Sequence, residues 1–77
     1  MARDDAVIGC SGRLLVGTRG PEGPGEVLVR VRGGSEAFLA WSDAPLVAGT
    51  PVLVVESRGT RQVDVIEWLD PLEAPAG

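Results

Sequence analysis

From residue 26 to residue 32 the chain reads EVLVRVR, an unbroken alternation. In an extended chain Val27, Val29 and Val31 fall on one side, and Glu26, Leu28, Arg30 and Arg32 on the other. Successive side chains of a strand point to opposite faces, so this pattern predicts a strand with one face buried. The same spacing recurs along the chain. Residues 6–16, AVIGCSGRLLV, predict a long first strand bent at Gly9 and Gly12, since glycine inside a strand marks a bulge or bend. EAFLAW at 36–41 puts Phe38 and Ala40 on one face and Ala37, Leu39 and Trp41 on the other. PVLVVE at 51–56 opens on a proline, which fits at a strand's first residue, and aligns Val52 with Val54. QVDVIEWL at 62–69 turns Val63 and Val65 inward and Gln62, Asp64, Ile66 and Trp68 outward.

Turn signals separate these segments. GTRGPEGPG at 17–25 is too rich in glycine and proline for regular structure. Gly33-Gly34 predicts a tight hairpin turn, and Arg58-Gly59 a second one. SDAPLVAGT at 42–50 is a connection with room for one helical turn around 46–48. The expected layout is a polar, flexible N-terminus at 1–5, one domain at 6–69 and a flexible tail at 70–77. Five short strands with a bent first one predict an all-β fold, a small five-stranded OB-like β-barrel. Its expected interior is Val7 or Ile8 with Leu14, Val16, Val27, Val29, Val31, Phe38, Ala40, Val52, Val54, Val63 and Val65.

Size and charge narrow the function. A chain of 77 residues holds one core and little room for a deep substrate cleft. The net charge is −4, and every basic side chain is an arginine. An acidic domain lacks the general attraction that drives non-specific binding to phosphate backbones or anionic lipid. Without histidine, lysine or tyrosine the usual general bases and amine nucleophiles are missing, so no enzyme is expected. The carboxylates Asp43, Glu56, Asp64 and Glu67 read as solvated surface charge. Cys10 stands alone, which rules out an intrachain disulfide, favours a reducing compartment and suits a small buried side chain. With no histidine beside it the usual zinc site is excluded, and no spaced acidic loop follows Asp4-Asp5 for calcium. No metal or cofactor is expected. The start, MARDDAVIGC, does not read as a signal peptide, and no apolar run is long enough to span a bilayer.

Several pieces together carry a family resemblance. They are Gly9 and Gly12; Gly25-Glu26-Val27; Phe38, Ala40 and Ser42; the run Gly49-Thr50-Pro51-Val52-Leu53-Val54-Val55-Glu56; and Val63 to Val65. In this order they resemble the C-terminal soluble domain of the NfeD family, over about residues 8–67. The run AGTPVLVVE with a glycine three residues on is the most specific piece. At 17–25 the glycine-rich loop replaces the family's usual Leu-x-Pro-x-Gly segment. The resemblance implies an OB-fold used for protein–protein contact rather than catalysis, linked to membrane-protein quality control and to stomatin- or flotillin-like partners. It also implies a cytoplasmic domain, alone or as the soluble part of a membrane-anchored protein. AGTPVLVVE is similar as well to the strand–turn rhythm of lipoyl and biotinyl carriers. Those need a lysine for attachment, and there is none.

Outward apolar residues point to where contact would occur. Tryptophan and arginine are enriched at interface hot spots, which selects Trp41, Trp68, Leu39, Leu28, Arg30 and Arg32 as candidate partner-binding residues. The other reading of the two tryptophans is that they cap the barrel. The functional alternative is a single-stranded nucleic-acid binder, since OB barrels stack bases on aromatic side chains in a basic groove. Arg30, Arg32 and Trp41 offer a thin version of that platform, so nucleic acid is disfavoured as a partner.

Overall fold

The computed structural model describes residues 4–31 and 33–68. A short 3-10 helix, Asp4–Val7, leads into five strands: β1 Ser11–Val16, β2 Gly25–Val31, β3 Gly34–Trp41, β4 Pro51–Gly59 and β5 Gln62–Glu67. They close into a barrel in the order β1-β2-β3-β5-β4, with β4 returning to β1. All neighbours are antiparallel except β3 and β5, which run parallel. The OB-like barrel expected from the alternation is thus the fold of this chain.

Period-two spacing sets the interior. Val27, Val29, Val52, Val54, Val63 and Ala40 are fully enclosed, and Val7, Leu14, Phe38 and Val65 complete the core. Cys10, Val31 and Leu46 pack against it, partly buried. Valine suits the site because its branched side chain fills the narrow space above a pleated sheet.

β1 pairs along its first half with β2 on one side and β4 on the other. Gly12 faces both Val29 on β2 and Val52 on β4. A Cβ at Gly12 would overlap the Leu28 carbonyl oxygen, so only glycine fits where β2 approaches β1 this closely.

Five local expectations are corrected. β1 begins at Ser11 rather than at residue 6, because Gly9 takes a left-handed φ of 90° that ends the extended run. Val16 points to solvent at 53% exposure. Leu14 pairs with Val27 but Val16 already pairs with Glu26, so a β-bulge puts two residues against one and turns both Leu15 and Val16 outward. β4 runs past the expected Arg58-Gly59 turn because two further bulges lengthen it; the turn is Thr60-Arg61, both left-handed at φ 52° and 59°. Residues 46–48 form no helical turn. The β2–β3 hairpin pairs Val31 with Gly34, so its turn sits one residue earlier than Gly33-Gly34. The expected tail at 70–77 lies outside the described residues, as do residues 1–3 of the expected N-terminus.

The connections are tied by hydroxyls. Thr18, buried in the β1–β2 connection, accepts the Leu46 amide at 2.9 Å and lies 2.5 Å from the Ser42 hydroxyl, joining that connection to the one between β3 and β4. Ser42 in turn donates to the Ala44 carbonyl at 2.7 Å. In the same connection the Leu14 amide donates to the Thr50 carbonyl at 3.0 Å and the Gly49 amide to the Leu14 carbonyl at 2.7 Å.

Candidate functional site

Barrel closure decides which outward residues become neighbours. Across the sheet, Ala37 of β3 lies opposite Leu28 of β2, Leu28 opposite Arg13 of β1, and Arg13 opposite Pro51 of β4. The Trp68 amide donates to the Pro51 carbonyl at 2.9 Å, which brings the tryptophan to the same row just beyond β5. Arg30 follows two residues along β2 from Leu28 and faces Ser35. The bulge swings Leu15 out beside them. The result is a groove of about 340 Å³ lined by Arg13, Leu15, Leu28, Arg30, Pro51 and Trp68, among others.

Its walls are apolar and exposed: Leu15 at 50%, Leu28 at 38% and Trp68 at 39%. The charged groups are the guanidiniums. Arg13 Nη1 donates to the Gly49 carbonyl at 3.1 Å, which fixes it against the β3–β4 connection.

Trp41 stands elsewhere. It is half-buried, its Nε1 donates to Gln62 Oε1 at 2.9 Å, and the Arg58 guanidinium lies 4.7 Å from its ring centroid. Arg58 grips Asp64 with two parallel bonds, Nε to Oδ2 at 3.1 Å and Nη2 to Oδ1 at 2.7 Å. The hydrogen bond to Asp64 holds the Arg58 pKa above its ordinary value, against a small opposing effect of burial. Leu39 is exposed two residues before Trp41 and lies opposite Gln62. Next to them Arg61 closes the barrel end: its guanidinium sits 4.6 Å from the buried Phe38 ring centroid, and Nη2 donates to the Ala37 carbonyl at 2.8 Å and to Glu36 at 3.2 Å.

The six candidate contact residues therefore divide. Leu28, Arg30 and Trp68 share the groove. Trp41 and Leu39 belong to the β3–β5 face, where Trp41 is built into the structure. Arg32 lies outside the described residues. Sequence reasoning missed Arg13, Leu15 and Pro51. Alternation already marked Arg13 and Leu15 as flanking the inward Leu14. That Pro51 joins them follows only from β1 closing on β4.

A five-stranded closed barrel with parallel β3 and β5 and a groove across β1 and β2 defines the class, a small OB-like β-barrel domain. The chain belongs to the NfeD C-terminal domain family, whose profile matches residues 11–66, from the first residue of β1 to the penultimate residue of β5. Among solved structures it is similar to the soluble domain of the NfeD protein YuaF from Bacillus subtilis. The TM-score is 0.70 at 27% identity, covering 83% of this chain and 76% of that one. No curated protein matches the chain in sequence. No helix among the described residues is long and apolar enough to cross a membrane.

Proposed function

We propose that this barrel is a non-catalytic protein–protein interaction module that docks a partner on its groove-bearing face. The family resemblance suggests a partner of the stomatin or flotillin type, in membrane-protein quality control. In this reading the domain works in the cytoplasm beside the membrane that carries its partner, as the soluble part of a membrane-anchored protein.

The observation that carries the reading is the clustering of Leu15, Leu28 and Trp68, all substantially exposed, around one groove. Large apolar side chains gathered at one place on a small domain mark a contact surface. The groove's ionisable side chains are two arginines, a residue type that supplies neither a general base nor a nucleophile. Single-strand binding has weaker support. An OB platform stacks bases on outward aromatics, yet the outward positions of β3 are Ala37, Leu39 and Trp41, and Trp41 is already held by Gln62 and Arg58.

The test is a titration of the isotope-labelled chain with a purified soluble domain of a stomatin-type protein, followed by amide chemical shifts. Shifts in β1, in β2 and at Pro51 and Trp68 are expected. A parallel titration with single-stranded oligothymidine at low ionic strength should leave these amides unmoved. Saturable binding in the second titration and none in the first would overturn the proposal.

A further inference from the structure

The groove carries a charge sign that the whole chain does not. In a protein of net charge −4, both charged side chains lining it are arginines. The nearby acids stand outside it: Glu26 shares the outward face of β2 with Leu28 and Arg30, and Glu67 precedes Trp68, but neither lines the groove. Arg30 is exposed and makes no ion pair among the described residues. Beside it stand the apolar surfaces of Leu28, Trp68, Pro51 and Leu15. A cation bordered by exposed apolar walls is a complementary half of an acidic, apolar ligand.

Closure restricts how such a ligand binds. At the groove β1 is paired on both sides at Gly12 and Arg13, and β2 on both sides from Glu26 to Val29, so a partner cannot add a strand there and gain a ladder of main-chain hydrogen bonds. Recognition has to run through side chains set into the groove.

We propose that the groove takes a partner segment in which a carboxylate lies within a few residues of a large apolar side chain. The carboxylate meets the Arg30 guanidinium in a forked pair, a geometry that arginine offers and lysine does not. The apolar side chain lies against Leu28 and Trp68. This rests on the interaction reading above and names the chemistry of the partner. A nucleic-acid strand is the poorer fit, because two cations on an acidic barrel neutralise few phosphates and the walls are largely aliphatic.

The experiment is a selection of random dodecapeptides displayed on phage against the whole chain. Enriched sequences should join aspartate or glutamate to tryptophan, phenylalanine or leucine. A synthetic peptide of that consensus should shift the amides of β1 and β2. Arg30→Glu should weaken it about tenfold, as expected when an exposed attraction becomes a repulsion of similar size. A peptide with lysine in place of the acid should recover binding to Arg30→Glu, which a misfolded variant would not show. Leu39→Glu, on the other face, should change nothing.

Enrichment of sequences without acids, shifts confined to β3 and β5, no enrichment at all, or displacement of the peptide by oligothymidine would each overturn the proposal. If selection fails while the stomatin-type domain still shifts the groove amides, the acidic-segment proposal falls and the interaction module stands. If neither binds, both fall.

Discussion

Replacing each tryptophan in turn by alanine tests the proposal that Trp41 serves the structure and Trp68 the partner. Trp41 is half-buried, stacked under Arg58 and hydrogen-bonded to Gln62. Truncating a fully buried tryptophan costs about 3–5 kcal/mol, so half burial accounts for roughly 2. An exposed cation–π contact adds about 0.5–1 kcal/mol. The neutral hydrogen bond adds about 0.5 kcal/mol, since Gln62 can turn to water. The sum for Trp41→Ala is about 3 kcal/mol. Trp68 is 39% exposed, and its hydrogen bond to Pro51 uses the backbone amide, which alanine keeps. Trp68→Ala should cost about 1 kcal/mol or less.

Urea unfolding measures both, and in each variant the remaining tryptophan supplies the fluorescence signal. With a slope of about 1 kcal/mol per molar urea for a domain of this size, the midpoint should fall by about 3 M for Trp41→Ala and by about 1 M at most for Trp68→Ala. A small domain has about 5 kcal/mol in total, so the Trp41 variant stays folded in water with a thin margin. Partner binding should show the opposite order, lost in Trp68→Ala and kept by the folded fraction of Trp41→Ala. If Trp68→Ala proves the more destabilised variant, the division of the two faces drawn from burial and hydrogen bonding is wrong.

Three further outcomes follow from particular contacts. Gly12→Ala drives a methyl into the Leu28 carbonyl where β1 lies between β2 and β4. It should cost about 3 kcal/mol or more in thermal unfolding, and a loss within about 0.5 kcal/mol would show that β1 can shift to make room. Thr18→Val keeps the shape but leaves the Leu46 amide without its acceptor. A loss of about 1–3 kcal/mol is expected, with faster hydrogen exchange at Leu46 as the local signature. Thr60→Asn puts a residue tolerant of left-handed φ at a position where a β-branched side chain now sits at 52°. It should raise stability by up to about 1 kcal/mol, measured as a higher urea midpoint at unchanged slope.

The spacing of valines foretold which side chains enter the barrel, because alternation is a local property: two residues along a strand return a side chain to the same face whatever the strand pairs with. Val27, Val29, Phe38, Ala40, Val52, Val54, Val63 and Val65 are buried for that reason. Alternation failed at Val16, where a bulge breaks the two-residue count. A bulge depends on the partner strand opposite, and no stretch of β1 read by itself contains that partner. The run AGTPVLVVE and its companion motifs were enough to identify the family, because they mark the turn and strand that every such barrel must build.

The outward residues obeyed a different rule. Sequence marked Leu28, Leu39, Trp41, Arg30 and Trp68 as outward, and outward they are to differing extents, but it could not say which ones meet. Leu28 and Arg13 touch because β1 pairs with β2. Pro51 and Trp68 join them only because β1 also closes on β4 and the chain leaves β5 beside it. Trp41 and Leu39 go to the other side because β3 runs parallel to β5. What the linear chain determined was the inside of the barrel, a matter of short-range periodicity. The groove is a product of closure, since its residues come from segments far apart in sequence and acquire a common surface only when the last strand pair forms.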